Sequence, residues 1–493
     1  MRFLVLFFPF FLFSLNLSEI LTHPKSYVRD FYLTQFMRET NSITLAYKAY
    51  NSMYRKKPFK HLRILAKKSV FFSEIYRCVN VKPSYLRDVN VACILNNGLS
   101  LKSIAKLNEN DLLYLYNKLP DSKEKKAVNV FLSNDFSYVF LDRDLGYYFI
   151  LNYPKKEIDQ SIKDFSIFED SYFHLFVKSA VVNRLVKIQN SLLKLDFKDF
   201  NDKVKWWLFL NAMSLKKYDL AKRILYSIKT KSSKIDFWKW QLGDKKGFEN
   251  LVNNPRVDFY TLYAHEEANK DFFIRRKIIY NTSEPKYDQT NPWDVLKFFD
   301  EFKKTKDLFS FAKQLDNNKS MALKALVLDK AFRYKQNFFI TPKIYEDKNA
   351  SFKAFVYAIA RQESRFIPAS VSRSYALGTM QIMPFLIRHY KGDVFRQFDY
   401  TQNIKLGAKH LKWLFSKLKD PLMVAYAYNG GIGFVSRKVI PYFHYKGEFE
   451  PFLSMELVPY DESREYGKKV IANYVIYYQM FGGEENLHKL INK

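Results

Sequence analysis

Residues 352–384 read FKAFVYAIARQESRFIPASVSRSYALGTMQIMP and join an apolar helical segment to a polar loop. The apolar residues at the start repeat at the i, i+3, i+4, i+7 spacing of one helix face: Phe352, Phe355, Val356, Ile359 and Ala360. Glu363 lies four residues after Ile359 and continues that face, and Pro368 ends the helix soon afterwards. The stretch therefore predicts a helix with a carboxylate on its buried side, directly before a loop that turns at Gly378.

The position of Glu363 favours a chemical role. Burial disfavours the charged form of a carboxyl group and raises its pKa, which suits a general acid. The alternative is a structural ion pair between Glu363 and Arg361 or Arg365. This helix alone leaves both interpretations open.

Two more helices follow the loop. Apolar residues at helical spacing predict an amphipathic helix over residues 404–418. Residues 425–433, AYAYNGGIG, end another helix in a glycine-rich turn. This turn lacks the Gly-Lys-Ser/Thr of a P-loop and the strand context of a dinucleotide fingerprint, so it does not predict a phosphate site.

Four blocks of this region resemble the soluble lytic transglycosylases of bacterial cell-wall metabolism. They are residues 358–364 (AIARQES), 378–384 (GTMQIMP), 427–433 (AYNGGIG) and 456–466 (ELVPYDESREY). Their order and spacing match the family from near Thr341 to Phe481. The resemblance implies a lysozyme-like α(+β) catalytic domain whose substrate is the glycan of peptidoglycan.

The resemblance also implies the site residues. Glu363 falls on the position of the catalytic acid, which later acts as the base. The expected substrate-binding residues line the sugar groove or orient the carboxylate: Ser372, Gln381, Met383, Tyr428, Asn429 and Glu462. No cofactor and no metal ion are implied. Four positions depart from the residues usual in the family without removing a reacting group: Tyr375, Thr379, Gly430 and Ile432.

The distribution of acids favours a single-carboxylate mechanism. Ordinary glycosidases use two carboxylates, one as acid and one as nucleophile or base. Residues 364–392 contain no Asp or Glu. This pattern fits a single acid, and the resemblance implies that Glu363 protonates the glycosidic oxygen and then deprotonates the C6 hydroxyl, which attacks C1 and gives a 1,6-anhydro sugar. Glu462 stays open as a remote second carboxylate.

The chain before residue 341 predicts a different architecture. Only four of the 14 glycines lie in residues 1–377. Residues 172–228 show successive amphipathic helices of the kind that stack into α-solenoids. We therefore expect a mainly all-α protein, with an N-terminal α-superhelical region followed by the lysozyme-like domain.

Composition shifts suggest four segments. The expected order is a signal peptide (1–17), an α-helical superhelical domain (18–290), a helical linker domain (291–340) and the transglycosylase catalytic domain (341–493). The second boundary follows the polar, proline-punctuated residues 281–285, and the third lies at Ile340–Pro342.

The N-terminus indicates export. One cation at Arg2 precedes a short apolar run over residues 3–13, which is typical of a signal peptide and too short to span a membrane. We expect an exported, periplasmic protein, with an uncleaved anchor as the alternative. In an oxidising compartment Cys78 and Cys93 either pair or remain two separate thiols.

The net charge of the chain limits the classes of binding partner to expect. Eighty Lys and Arg against 50 Asp and Glu give a net charge of +30, which favours binding to polyanions. Export disfavours nucleic acid, so acidic peptidoglycan strands are the expected partner, with peripheral association to the cell envelope. Cell-wall machinery proteins are a second candidate class of partner. A biased genomic composition is the alternative explanation of the charge.

Other functions remain as alternatives. A hydrolytic lysozyme of the same fold, a glycan-binding scaffold and a nucleic-acid-binding protein are each compatible with part of the sequence. Residues 265–269, HEEAN, lack the second His of a zinc-protease motif. We interpret them as a solvated helix face.

Overall fold

The computed structural model describes residues 15–162, 168, 170–278 and 284–491. The chain forms two compact units, Met1–Leu107 and Asn108–Lys493. The division between them falls within the segment 18–290. The predicted signal peptide lies outside the described residues except for its last three positions. Residues 281–283 of the proline-punctuated stretch before the predicted linker domain also lie outside them.

The first unit consists of short helices. They are α1 (Leu17–Thr22), α2 (Tyr27–Glu39), α3 (Ile43–Asn51), α4 (Pro58–Ala66), α5 (Val70–Val79), α6 (Val91–Asn97) and α7 (Leu101–Ile104), with a 3-10 helix at Pro83–Asp88. A disulfide between Cys78 and Cys93 joins α5 to α6, so the paired state is the one observed. The buried Asp30 carboxylate accepts hydrogen bonds from the backbone N–H groups of Tyr54 and Arg55 and holds the turn after α3.

The second unit begins with a long series of helices. They are α8 (Glu109–Lys118), α9 (Lys123–Ser133), α10 (Arg143–Asn152), α11 (Lys156–Gln160), α12 (Phe173–Val182), α13 (Val186–Leu192), α14 (Asp202–Ser214), α15 (Tyr218–Tyr226), α16 (Ser233–Gln241), α17 (Lys245–Val252), α18 (Phe259–Glu267), α19 (Pro292–Lys304), α20 (Leu308–Lys313) and α21 (Met321–Ala331). Strands β1 (Ile274–Arg275) and β2 (Asn337–Phe338) pair in parallel.

Helices α12 to α18 stack as successive hairpins, which confirms the prediction from residues 172–228. Helix α14 packs against α12 and α15, and α16 packs against α17 and α18. Residues 204–213 of α14 are all buried, because neighbouring helices cover α14 on several sides. The Asn201 side chain caps its start by accepting from the N–H groups of Lys203 and Val204.

The chain then enters the region of the quoted motifs. The helices are α22 (Ala350–Ser364), α23 (Pro384–His389), α24 (Tyr400–Leu418), α25 (Pro421–Gly430), α26 (Ile432–Phe434), α27 (Phe452–Glu456), α28 (Asp461–Met480) and α29 (Leu487–Ile491). Isolated antiparallel bridges link Leu377 to Val371 and to Ile382. The fold is therefore mainly all-α, as predicted. Each helix in the described part of the chain is too short or too polar to cross a membrane.

The prediction that residues 265–269 form a solvated helix face is wrong for the first two of them. His265 is 3% exposed and its imidazole Nδ1 lies 3.1 Å from the Lys270 carbonyl oxygen. The Glu266 carboxylate accepts hydrogen bonds from the N–H groups of Leu487 and His488. His265 and Glu266 are thus not on a solvated face, because His265 is buried and the C-terminal residues of the chain pack on Glu266, whereas Glu267 and Asn269 are exposed.

Helix α28 crosses α25 at close range. A Cβ atom built on Gly467 would lie 2.2 Å from a ring carbon of Tyr426, which is fully buried. Only a glycine lets the two backbones approach this closely. Helix α28 also packs along α22, so its position is fixed from two directions.

We predict that Gly467→Ala destabilises the second unit. Overpacking a closed crossing costs about 1–3 kcal/mol, which exceeds the roughly 1 kcal/mol that alanine gains over glycine in a helix. Thermal unfolding followed by circular dichroism should give a lower melting temperature. Lys405→Ala, an exposed change on α24, is the control and should leave the melting temperature almost unchanged. A Gly467→Ala protein as stable as the wild type would contradict this account of the crossing.

Candidate active site

The candidate site forms around Glu363 in the last turn of α22. The Asn349 side chain caps the start of this helix, and the helix ends at Ser364 because Arg365 adopts a left-handed backbone with φ of 53°. Glu363 is partly buried. The Tyr466 hydroxyl, which comes from α28, donates a hydrogen bond of 2.6 Å to Glu363 Oε1.

The neighbouring arginines do not neutralise Glu363. Arg361 Nη2 lies 3.6 Å from an oxygen of the buried Asp329 carboxylate, and the Arg365 guanidinium pairs with the same oxygen. Arg361 also donates to the carbonyl oxygen of Phe338. The structural ion pair that the sequence left open for Glu363 is therefore made by Asp329 instead.

These surroundings shift the pKa of Glu363 upward. Burial raises it to about 7, and the negative charge of Glu462 adds to the increase. The hydrogen bond from Tyr466 stabilises the carboxylate and opposes the shift. Both protonation states are therefore populated near neutral pH, so the group can donate a proton and take one back.

The loop after α22 is shaped by hydrogen bonds within itself. Ser372 Oγ accepts from the N–H groups of Ser374 and Ala376, at 3.2 and 2.9 Å. Gln381 has a left-handed backbone with φ of 49°, and its Nε2 donates to the carbonyl oxygens of Ser370 and Gly378. These contacts fix the loop that faces the end of α22.

Two residues that the sequence did not single out hold this loop in place. Ser364 Oγ donates to the Thr379 carbonyl oxygen at 2.8 Å, which ties the loop to α22. The buried Asn403 on α24 accepts from Met380 N–H and donates to the Leu377 carbonyl oxygen. The only sequence signal for Asn403 is a polar residue on the apolar face of α24.

Asn403 explains the glycine at the turn. Gly378 has φ of 77°, and a Cβ atom there would lie 2.4 Å from Asn403 Nδ2. A side chain at position 378 would displace the amide that holds the loop. The family-like block at 378–384 thus depends on a close contact between a turn and a buried amide.

Helices α25 and α28 close the other side of the site. The Tyr428 hydroxyl donates to the Met380 carbonyl oxygen at 2.8 Å. Tyr428 is partly buried; desolvation raises the pKa of its hydroxyl, and the charge of Glu363 raises that pKa further. Asn429 Nδ2 donates to Glu462 Oε1 at 3.3 Å, and Ser463 Oγ donates to Asn429 Oδ1.

The structure thus groups the expected site residues in two sets. Tyr428, Asn429 and Glu462 lie on the helices next to Glu363, whereas the loop and its end carry the others: Ser372, Gln381 and Met383. Met383 is the partly buried residue before α23. None of these three makes a hydrogen bond to Glu363 among the described residues. Sequence reasoning missed Tyr466, although it is the last residue of the quoted block 456–466.

Within the ranges that the structure describes, no group of three or more His, Cys, Asp or Glu side chains is arranged to hold a metal ion. Thr379 is one of the positions that differ from the residues usual in the family. Its side chain is fully buried, and its Oγ1 has no hydrogen-bond partner in the described structure. Its carbonyl oxygen accepts the hydrogen bond from Ser364 Oγ, so this residue helps to hold the loop against α22.

Comparisons with known proteins agree on this region. Residues 341–447 match the family described as the transglycosylase SLT domain. A Haemophilus influenzae protein whose name includes "soluble lytic murein transglycosylase" is 34% identical over 145 residues, which are 27% of this chain and 23% of that protein. The soluble lytic murein transglycosylase of Salmonella typhimurium is 31% identical over 143 residues, 27% of this chain and 21% of that protein.

The matched segment therefore spans less than a quarter of the length of these curated relatives. A solved structure of the lytic transglycosylase Slt of Pseudomonas aeruginosa aligns with 96% of this chain and 90% of that chain. The identity in that alignment is 16% and the TM-score is 0.48.

We predict that Glu363→Gln stabilises the protein at pH 8 but not at pH 4. A raised folded-state pKa means that the wild type loses stability as pH rises from the ordinary 4.5 of the free carboxyl to about 7. The neutral amide avoids this loss, which amounts to at most about 3 kcal/mol. Melting temperatures measured at both pH values test the sign.

The matched control is Glu484→Gln, which changes an exposed glutamate far from the site in sequence. It should give no pH-dependent gain. Equal effects of the two variants at pH 8, or a Glu363→Gln gain that persists at pH 4, would mean that Glu363 has no raised pKa.

Proposed function

We propose that this chain, which belongs to the soluble lytic transglycosylase family through its SLT domain at residues 341–447, cleaves peptidoglycan glycan strands. The bond broken is the β-1,4 bond between N-acetylmuramic acid and N-acetylglucosamine, with formation of 1,6-anhydro-N-acetylmuramic acid. The observation that carries the proposal is Glu363, a partly buried carboxyl group that has a pKa of about 7 and accepts a hydrogen bond from Tyr466. It has no cationic partner among the residues that the structure describes.

The first step uses the protonated form. Glu363 transfers its proton to the glycosidic oxygen, and the bond between that oxygen and C1 of N-acetylmuramic acid breaks. A pKa of about 7 keeps a large share of the carboxyl protonated at neutral pH while leaving it acidic enough to donate. The acetamido group of the substrate stabilises the positive charge at C1.

The second step uses the carboxylate that remains. It removes the proton of the C6 hydroxyl, and the oxygen of that hydroxyl attacks C1 to close the anhydro ring. The Tyr466 hydroxyl donates to this carboxylate and holds its orientation between the two steps. Glu363 thus regains in the second step the proton that it gave in the first, and water is not consumed.

Glu462 has a supporting role in this scheme. It is exposed, accepts a hydrogen bond from Asn429, and raises the pKa of Glu363 through its charge. A hydrolytic lysozyme would need a second carboxylate or an activated water on the far side of the sugar. We assign to Glu462 the tuning of the acid and contact with the sugar.

The remaining assignments follow from the same proposal. Ser372, Gln381 and Met383 on the loop, with Tyr428 and Asn429 on α25, would line the sugar-binding groove. Residues 18–290 would guide glycan strands towards a catalytic domain at 341–493. The net charge of +30 would hold an exported, periplasmic enzyme on acidic peptidoglycan.

We predict that Glu363→Gln lowers turnover by at least about a hundredfold, the scale of general acid catalysis. The variant keeps the shape of the side chain and the hydrogen bond from Tyr466, so its fold should be intact. Mass spectrometry of soluble products from purified sacculi measures the effect. Products ending in 1,6-anhydro-N-acetylmuramic acid support the proposal, whereas reducing ends from the wild type would indicate a hydrolase. Near wild-type rates from Glu363→Gln would remove Glu363 from the mechanism.

We also predict opposite shifts of the pH profile for two neighbours of Glu363. Tyr466→Phe removes a hydrogen bond to the carboxylate, so the pKa of Glu363 rises and the basic limb of kcat/KM moves to higher pH. Glu462→Gln removes a repulsive charge, so the pKa falls and the limb moves to lower pH. Glu484→Gln is the control. Shifts in the same direction, or none, would contradict the electrostatic description of the site.

A further inference from the structure

A second cavity lies on the opposite side of α28 from Glu363. Its volume is about 620 Å³, in the range of small-molecule sites. It is enclosed by α12, α14, α16, α18 and the N-terminal half of α28. Along α28 it is lined by Asp461, Arg464, Glu465 and Lys468, at the helical spacing of one face, while Glu462 and Tyr466 face the active site.

The lining has an excess of positive charge. Seven Lys and Arg residues line the cavity against four Asp and Glu residues. The aromatic side chains of Trp206, Trp207 and Tyr260 form part of the same wall. Lys203 and Lys469 are exposed members of the lining, which leaves the cavity accessible from solvent.

The four acids already have internal partners. Asp202 accepts hydrogen bonds from the backbone N–H groups of Lys229 and Thr230, and Asp258 caps α18. Asp461 pairs with Lys178 and Arg464, and Glu465 pairs with Lys468 and Arg464. The acids are therefore committed to the fold and leave part of the positive charge uncompensated.

Lys234 is a cation of the lining on which the charges of Glu456 and Glu465 act without forming an ion pair. It lies in α16 with its Nζ 4.5 Å from the centre of the Trp206 ring, and no carboxylate of the described residues lies within 4 Å of it. Burial lowers the pKa of its ammonium group. An anion in the cavity would offset this cost, because it could approach the partly buried ammonium group more closely than Glu456 and Glu465 do.

Two buried N–H donors in the same wall also make no hydrogen bond within the described structure, although Arg464 Nε lies 3.7 Å from Glu465 Oε1. The donors are Trp206 Nε1 and Arg464 Nε, and these residues are only 8% and 6% exposed. Buried N–H groups are normally satisfied. A ligand with several acceptor oxygens would suit an ammonium and two N–H donors in one cavity, as a carboxylate does.

We propose that this cavity is a second binding site for a carboxylate-bearing peptide of the cell wall, held by Lys234, Trp206 and Arg464. The identity of the peptide rests on the proposed function, since the peptides attached to peptidoglycan strands carry free carboxylates. Lys178 and Arg464 lie over the indole ring of Trp207, and Lys234 lies over that of Trp206. These cations cover the rings, which are therefore not free to stack on a sugar. This favours the peptide over the glycan as the occupant.

The test is binding of the synthetic peptide L-alanyl-γ-D-glutamyl-L-lysine to the full-length protein. Isothermal titration gives the affinity, and the indole N–H signal of Trp206, assigned with Trp206→Phe, reports the site by NMR. We expect Lys234→Met to weaken binding at least tenfold, because it removes the ammonium and keeps the length of the side chain. Lys198→Met, at an exposed lysine outside the cavity, should bind like the wild type.

Further arms separate the possible results. Glu363→Gln should bind the peptide with unchanged affinity, so loss of bond cleavage and loss of peptide binding are independent outcomes. The same peptide with both carboxyl groups amidated should not bind. Lys234→Gln and melting curves guard against a folding defect in Lys234→Met. Equal affinity of Lys234→Met and wild type, equal binding of the amidated peptide, displacement by inorganic phosphate at equal concentration, or no binding by the wild type would each overturn the proposal.

Discussion

The buried ammonium of Lys468 is the interaction on which the position of α28 depends. It lies 3.0 Å from Glu456 Oε1 and 2.8 Å from the Tyr260 hydroxyl, and both ionic side chains are 2% exposed. Burial raises the pKa of Glu456, but the charges of Lys468, Lys234 and Arg464 outweigh it and hold that pKa below its ordinary value. Removing one partner of a buried ion pair typically costs about 3–5 kcal/mol. The cluster therefore fixes the register of α28 against α18.

The same helix sets the chemistry on its other face. Tyr466 is two residues before Lys468 in sequence and donates to Glu363, and Glu462 is one turn earlier. A slip of α28 by one turn would remove the hydrogen bond that lowers the pKa of Glu363 and the charge that raises it. The close crossing at Gly467 lies between these two faces. The burial and the pKa of Glu363 thus depend on α28, which is fixed by the Lys468 cluster on one face and contacts Glu363 on the other.

Much of this was predictable from the sequence, and the missing parts share a physical cause. Helical periodicity predicted α22 and the raised pKa of Glu363, because both follow from local spacing. The partner of Arg361 and Arg365 was not predictable, since Asp329 is more than 30 residues away along the chain. Tyr466 lies 103 residues from Glu363. His265 and Lys468 look like surface residues in the sequence, and only the packing of distant helices buries them.

The central claim is that α28 and the burial of α22 keep Glu363 protonated up to neutral pH. The most direct measurement is a carbon-13 NMR titration of protein labelled at the glutamate carboxyls, with Glu363→Gln to assign the signal. The account predicts a midpoint near 7 for Glu363. A midpoint near the ordinary 4.5 would contradict it.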